Sequence, residues 1–426
     1  MRTVRRAAPE PARARPGSGT FAALAVAPYR RLFFSGTLGF LAVQSQMIAR
    51  GWLARQLTGS NSGLGGVFLA FGIPLLVATP WGGVAADRLS KRAVLLGAQG
   101  ALALSGLWIG LAVALDVVEY WMLLGASAVQ AFGFAFMGPA RMAFTGELVG
   151  RSVLPNAIVL AQMSLNSTRI LGPSLAGVLI GVPAFGTAGV YFLTSGLTLI
   201  AMTLTATLPP GRAPADRASQ TPGAELLDGL RYVRRHPTIL LLLVTSFFVV
   251  MLAFPYTAFL PSLADETFDV GPSGYGVLSA AGAIGALAVS LLIARRAGGP
   301  GAWRLQAVAG FGFGATVVLL GLSPTYAVAL VVVTLVGAAA SAFQSLNNSM
   351  VLEAADFAYH GRIQSLMMLS FSGFGIAALP LGLLADAVGL RVTLVGMGVA
   401  TLLTMVVYLV VQLNRRQSPT FSERVG

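Results

Sequence analysis

A chain of 426 residues of which 56% are hydrophobic and 10% charged is far poorer in charge than soluble domains, which carry about 25%, so the composition excludes an ordinary soluble fold and predicts a protein of many membrane spans. The lack of cysteine removes disulfides, thiolate metal sites and thiol nucleophiles, and two histidines, His236 and His360, are too few for an imidazole centre; no metal and no cofactor are expected. A formal charge of +13 would suggest nucleic acid in a soluble chain, but its placement here follows membrane topology, and no nucleic-acid partner is expected.

Residues 1–29 hold Arg2, Arg5, Arg6, Arg13 and Arg15 among Pro, Ala, Gly and Ser without an apolar stretch, which predicts a disordered basic tail and not a signal peptide. Apolar runs follow at about 32–53, 63–86, 93–115, 119–139, 153–181 and 187–208, each long enough to cross as a helix. Pro209, Pro210, Pro214 and Pro222 then precede Glu225 to Arg235, where apolar residues at helical spacing stand opposite basic ones. That pattern predicts a linker, 209–237, with an amphipathic helix along the membrane surface. Six more runs lie at about 238–262, 273–294, 303–322, 324–344, 364–387 and 391–413. The fold class predicted is all-α and polytopic, with twelve transmembrane helices in two six-helix bundles, 30–208 and 238–414, and a tail, 415–426. The runs do not alternate, which argues against a closed barrel.

Charge placement supports that count. With the N-terminus cytoplasmic and every run crossing, all 28 basic residues except Arg50, Arg55, Arg169 and Arg391 fall on the cytoplasmic side, as the excess of Lys and Arg in cytoplasmic loops requires. Asp116, Glu119, Asp265, Glu266, Asp269 and Asp386 face out, both termini are cytoplasmic, and no carboxylate is left at mid-depth. A weak repeat also relates the halves: Gly66 to Ala70 and Gly276 to Ala280 lie 210 residues apart, Pro173 and Pro380 207 apart, as in transporters built from duplicated bundles. At neither offset does Asp87 have a counterpart.

The stretch from Gly83 to Arg92 packs four charges into six residues between two uncharged runs and reads as a short polar turn. Gly83 permits close helix approach, a carboxylate at a helix end can accept from a neighbour's free amides, and paired basic residues reach acids or phosphates. Here the chain resembles the major facilitator superfamily: Gly83, Ala86, Asp87, Arg88, Lys91 and Arg92 match its signature G-x-L-A-D-R-x-G-R-R, with Ala85 for the usual Leu and Ser90 for the second Gly. Ser90 is less comfortable in a turn that needs positive φ. Gln46 to Leu53 with Leu57 to Ser60, and Pro139-Ala140-Arg141 through Glu147-Leu148 to Asn156-Ala157, are similar to the enterobactin-exporter-like branch of drug and siderophore efflux proteins. The resemblance covers nearly the whole chain and implies export of small molecules by alternating access, often driven by protons. It also implies a conformational latch of Gly83, Asp87, Arg88, Lys91 and Arg92, in which Asp87 docks on the start of the eleventh span. Arg141 and Glu147, in the next cytoplasmic loop, are expected to join the latch as ion-pair partners. The basic residues of the latch would equally serve topology alone.

Within the membrane, Gln162, Asn166 and Arg169 are spaced i, i+4 and i+7, forming one polar stripe that Pro173 continues. An intramembrane charge costs about 2.5–3.5 kcal/mol on insertion scales, so Arg169 must face a cavity or polar partners. Gln46 and Arg50 share a face of the first run, and Gln130 lies in the fourth. Phe132, Phe134 and Phe136, then Phe247, Phe248, Met251 and Phe254, then Met367, Met368, Phe371 and Phe374 offer adaptable apolar walls for an amphipathic ligand. The candidate substrate-binding residues are Gln46, Arg50, Gln130, Gln162, Asn166, Arg169, Phe248 and Met251. The alternatives are that both arginines bond carbonyls or snorkel, and that the aromatic and Met side chains only pack.

The expectation is a monomeric secondary transporter in a bacterial inner (plasma) membrane, partnered by the lipid bilayer, that exports an amphipathic, neutral or anionic small molecule. A proton gradient as energy source rests on the resemblance. Uptake of an organic anion, or a non-transporting sensor or scaffold, are the alternatives. An enzyme is disfavoured, since there is no HExxH sequence and no acid pair within a span.

Overall fold

The computed structural model describes residues 21–150, 153–211, 222–293, 301–356 and 359–417. The tail residues 1–20, Arg151, residues 212–221 of the linker, Arg295, Arg296 and residues 418–426, on which expectations above fell, lie outside the described residues. After a 3-10 turn at Ala22–Ala25 come α1 (Ala27–Thr58), α2 (Asn61–Arg88), α3 (Lys91–Ala114), α4 (Tyr120–Val149), α5 (Leu154–Gly181) and α6 (Gly186–Ala206). Then follow α7 (Pro222–Arg235), α8 (Pro237–Leu252), α9 (Tyr256–Ser262), a π turn at Leu263–Thr267, α10 (Gly271–Ile293), α11 (Ala302–Leu322), α12 (Tyr326–Glu353), α13 (His360–Val388) and α14 (Leu390–Gln417). Ten helical stretches among the described residues are long and apolar enough to cross a membrane; α5 and α13 are the other two long helices.

Hydropathy locates the crossings but not the helix ends. The run expected to stop at Pro139 continues as α4 to Val149, with Pro139 inside the helix, and the run expected to stop near 344 continues as α12 to Glu353. The seventh run is not one helix: α8 ends at Leu252, and Pro255, which lacks an N–H and crowds the preceding turn, stands as the N-cap of α9. The charged segment Gly83–Arg92 is not a turn over most of its length. Helix α2 continues through Arg88, only Leu89 and Ser90 link it to α3, and Ser90 is extended (φ −64°, ψ 126°), its hydroxyl accepting from the Ala93 N–H at 3.1 Å. A serine there needs no positive φ because it caps α3.

Hydrogen bonds fix the helix directions. α1 and α5 run parallel, joined by Tyr29 Oη to the Ala157 carbonyl at 2.7 Å, Thr37 to Ser164 at 2.6 Å and Ser45 to the Gly172 carbonyl at 3.1 Å. α1 and α6 run antiparallel, joined by Ser35 to Thr205 at 2.6 Å and Gln46 to Thr194 at 3.1 Å. Helices α1 to α6 pack on one another, α8 to α14 do the same, and the two groups meet chiefly along α2·α13 and α5·α10. One apolar core, containing Trp52, Leu64, Val67, Ala176, Tyr275 and Leu278, runs through both groups.

Candidate functional site

Helix α5 separates two environments. At about 100° per residue, Ser167, Leu171 and Val178 share one azimuth; all three are exposed, Leu171 and Val178 by 57% and 60%, as suits a lipid-facing strip. On the opposite azimuth stand Gln162, Arg169, Ala176 and Ile180. Gln162 and Arg169 are exposed, whereas Ala176 and Ile180 are buried. The same divergence marks the flank toward α10. A side chain at Gly177 would collide with the backbone of Gly276, and one at Gly181 with Ser273, yet Val159 and Met163, about four to six turns earlier near that azimuth, are exposed. α5 and α10 therefore touch at the end carrying the α1–α2 turn and splay apart toward the end carrying the α2–α3 turn, and the splay leaves Arg169 in the cleft between the groups. The Asn166 side chain lies outside the described residues. Across the molecule on α8, Phe248 is 42% exposed and Met251 half-buried.

Gln46, Arg50 and Gln130 come together elsewhere, inside the first group of helices and buried. Arg50 Nη1 donates to Ser127 Oγ on α4 at 3.1 Å, and Gln46 Nε2 donates to Thr194 Oγ1 on α6 at 3.1 Å. Gln44 and Ser45 take the side of α1 that meets α5, which turns Gln46 and Arg50 away from the cleft.

At the α1–α2 end the groups are sealed. Arg55 pairs with Asp265 at 3.1 Å and Glu266 at 3.3 Å. Asp386, near the end of α13, accepts from the backbone N–H groups of Asn61 (2.7 Å) and Ser62 (2.9 Å) at the start of α2, where free amides and the helix dipole favour an anion. Trp52 stacks on Tyr275 with centroids 6.4 Å apart, and Phe68 meets Phe374 edge-on at 5.0 Å. Side chains at Gly65, Gly375 or Gly382 would strike the facing helix backbone, so glycine is what lets α2 and α13 touch.

At the α2–α3 end, Lys91 is buried and pairs with Glu147, while the Arg92 Nη1 donates to the Leu208 carbonyl at 2.8 Å. Arg141 lies over the Phe40 ring at 4.9 Å. Glu147 thus serves Lys91, and each of these contacts stays within the first group of helices. Gly83, Asp87 and Arg88 belong to the last turns of α2; the side chains of Asp87 and Arg88 lie outside the described residues.

Two features escaped the sequence reading. The sequence pattern places Asp386 among the outward-facing acids and does not reveal it as the cap of α2, because its partners lie 324 and 325 residues away. Gln99 and Gln306 also occupy the same offset as Pro173 and Pro380, a signal present in the sequence. Gln99 Nε2 donates to Ser35 at 3.0 Å, and Gln306 donates to Asn347 at 2.8 Å while accepting from Tyr408 at 2.6 Å, so each ties its own group together.

The chain is 21% identical over 384 residues to the staphyloferrin A transporter of Staphylococcus aureus, covering 89% of this chain and 96% of that protein. It is 27% identical over 355 residues to the enterobactin exporter EntS of Shigella flexneri, covering 79% and 81%. Its fold is that of a bacterial homolog of the human lysosomal transporter Spinster, solved inward-facing and unoccupied, with a TM-score of 0.73, 16% identity and coverage of 92% and 98%. The sequence profile of transmembrane secretion effectors matches residues 18–424. With that match along nearly its whole length, the chain belongs to the transmembrane secretion effector family of the major facilitator superfamily and is a multi-pass membrane transporter.

Proposed function

We propose that the protein is a monomeric, twelve-span secondary transporter that exports an amphipathic, neutral or anionic small molecule across a bacterial plasma membrane by alternating access. The observation that carries this reading is the polar face of α5, open at Gln162 and Arg169 and sealed at Ala176 and Ile180. Basic residues crowd the α2–α3 end, which assigns that end to the cytoplasm and makes the cleft a cytoplasmic entrance. A cargo entering there meets Arg169 with its acidic or polar group, Gln162 alongside, and Phe248 and Met251 as an apolar wall; Asn166 joins them by its helical spacing in the sequence alone. Gln46, Arg50 and Gln130 back α1 from inside its own bundle. Export requires the Arg55 and Asp386 contacts to break, and the latch of Gly83, Asp87, Arg88, Lys91 and Arg92 to close the cytoplasmic side. Relatives whose names record an enterobactin exporter and a staphyloferrin A transporter support a small-molecule cargo of this class. As the sequence places no carboxylate at mid-depth, proton coupling would fall to Asp386, Glu266 or the cytoplasmic acids.

The test is flux in inside-out vesicles with and without a pH gradient, over a panel of amphipathic acids and neutral compounds. Gradient-dependent accumulation is expected. Accumulation instead by intact cells, abolished by Arg169→Ala, would replace export with uptake of an organic anion.

A further inference from the structure

Arg50 is 5% exposed, and none of the ion pairs among the described residues includes it. A guanidinium in that position is costly unless its charge is balanced and its N–H groups are accepted. One nitrogen is satisfied by Ser127, but Arg50 Nε has no acceptor. Two more polar groups in the same layer are buried without a partner, Gln130 Nε2 and Ser195 Oγ, and Tyr191 Oη lies against the Arg50 guanidinium with no acceptor for its own proton. Helical spacing brings them together. Gln130 lies three residues beyond Ser127 on α4, Ser195 lies four beyond Tyr191 on α6, and such pairs are neighbours on one helix face. Gly106 on α3 closes the layer, because a side chain there would meet Ser195 Oγ at 2.5 Å and Gln46 Nε2 at 2.7 Å. Each of these four groups has a proton to donate, and Arg50 Nε and the Gln130 amide nitrogen can do nothing else. Buried donors around one cation, with no acid paired to it among the described residues, define the complement of a small anion.

We propose that Arg50, Gln130, Tyr191 and Ser195 form a buried site for a halide-sized monoanion inside the α1, α3, α4, α6 bundle, distinct from the cleft that holds Arg169. One guanidinium balances one negative charge, and the tight surroundings favour a small ion over a divalent oxyanion. The site is independent of the cargo and of the direction of transport.

The experiment follows thermal unfolding of the purified full chain in detergent at constant ionic strength while gluconate is replaced by chloride, bromide or formate. A saturable rise of about 3 °C or more with chloride and bromide is expected for a site filled well above its dissociation constant. Gln130→Leu weakens the response and Arg50→Gln removes it. If Arg50→Gln does not fold, the wild-type titration and Gln130→Leu decide, joined by bromide anomalous scattering, expected beside Arg50. Unfolding indifferent to halide overturns the site, as does a halide response retained in full by both variants. A response to formate alone overturns the halide assignment in favour of a carboxylate group.

Discussion

Arg169 carries the cleft at the scale of a single side chain. Its exposure is informative because α5 already has a lipid strip, Leu171 and Val178, on its other side. A charge-assisted hydrogen bond to a cargo is worth about 1.5–3 kcal/mol, so Arg169→Gln is expected to lower kcat/KM for an anionic cargo by roughly tenfold or more, with a smaller loss for a neutral one. Arg169→Lys keeps the charge but loses the planar fork and falls between. Equal losses for anionic and neutral cargo would remove Arg169 from recognition. The polar stripe was legible in sequence because residues seven apart share a helix face whatever the helix packs against. Its aim was not, since that depends on where α1 and α10 lie. For the same reason Gln46 and Arg50 could be placed on one face of α1, while the turning of that face toward α4 and α6 follows from Gln44 and Ser45 meeting α5.

Among the elements, α7 shows how a linker is held. Tyr232 stacks on Tyr359 (3.9 Å) and His236 (4.0 Å) and shares a 3.0 Å hydrogen bond with Asp356, while Asp228 pairs with Arg362 near the start of α13. Leu227, Leu230, Arg231 and Arg234 remain exposed, a face fit for the membrane surface. The ion pair is partly exposed, side chains 30% and 41%, and such pairs contribute about 0–1 kcal/mol. Tyr232, at the middle of the aromatic stack, is buried, and removing a large buried side chain costs about 3–5 kcal/mol. Tyr232→Ala is therefore expected to speed tryptic cleavage at Arg231, Arg234 and Arg235 severalfold, with Asp228→Asn changing it little; the reverse order would make the ion pair the anchor. The amphipathic pattern from Glu225 to Arg235 marked α7 in the sequence, but its docking on residues 124 to 134 positions away did not show. Apolar runs were legible for the same local reason, and the extensions of α4 and α12 were not, because those ends lie beyond the apolar stretch that hydropathy detects.

For the whole molecule the question is what holds the α1–α2 end shut. Arg55 faces two acids that are 44% and 51% exposed, so each pair contributes little. Asp386 accepts two amide hydrogen bonds at the N-terminus of α2, where a charged acceptor is worth about 1.5–3 kcal/mol. Its partner helix belongs to the other group, so breaking these bonds is a step that opening cannot avoid. Asp386→Asn keeps the shape, removes the charge and sets an NH2 against a backbone N–H. The natural chain has no cysteine, so Ile180→Cys, at a position 7% exposed, gives a clean reporter of that end. A membrane-impermeant maleimide applied outside intact cells is expected to label Ile180→Cys roughly tenfold faster with Asp386→Asn, in line with a loss near 1.4 kcal/mol, and only a few-fold faster with Arg55→Ala. Acidifying the outer medium far enough to protonate Asp386 acts in the same direction as Asp386→Asn and, in that variant, has no carboxylate left at this position to act on. Labelling that is unchanged in a variant carrying both Arg55→Ala and Asp386→Asn would mean that the glycine contacts of α2·α13 and α5·α10 hold the end closed on their own. In that case a bulkier residue at Gly177, which faces the backbone of Gly276, becomes the change that opens it.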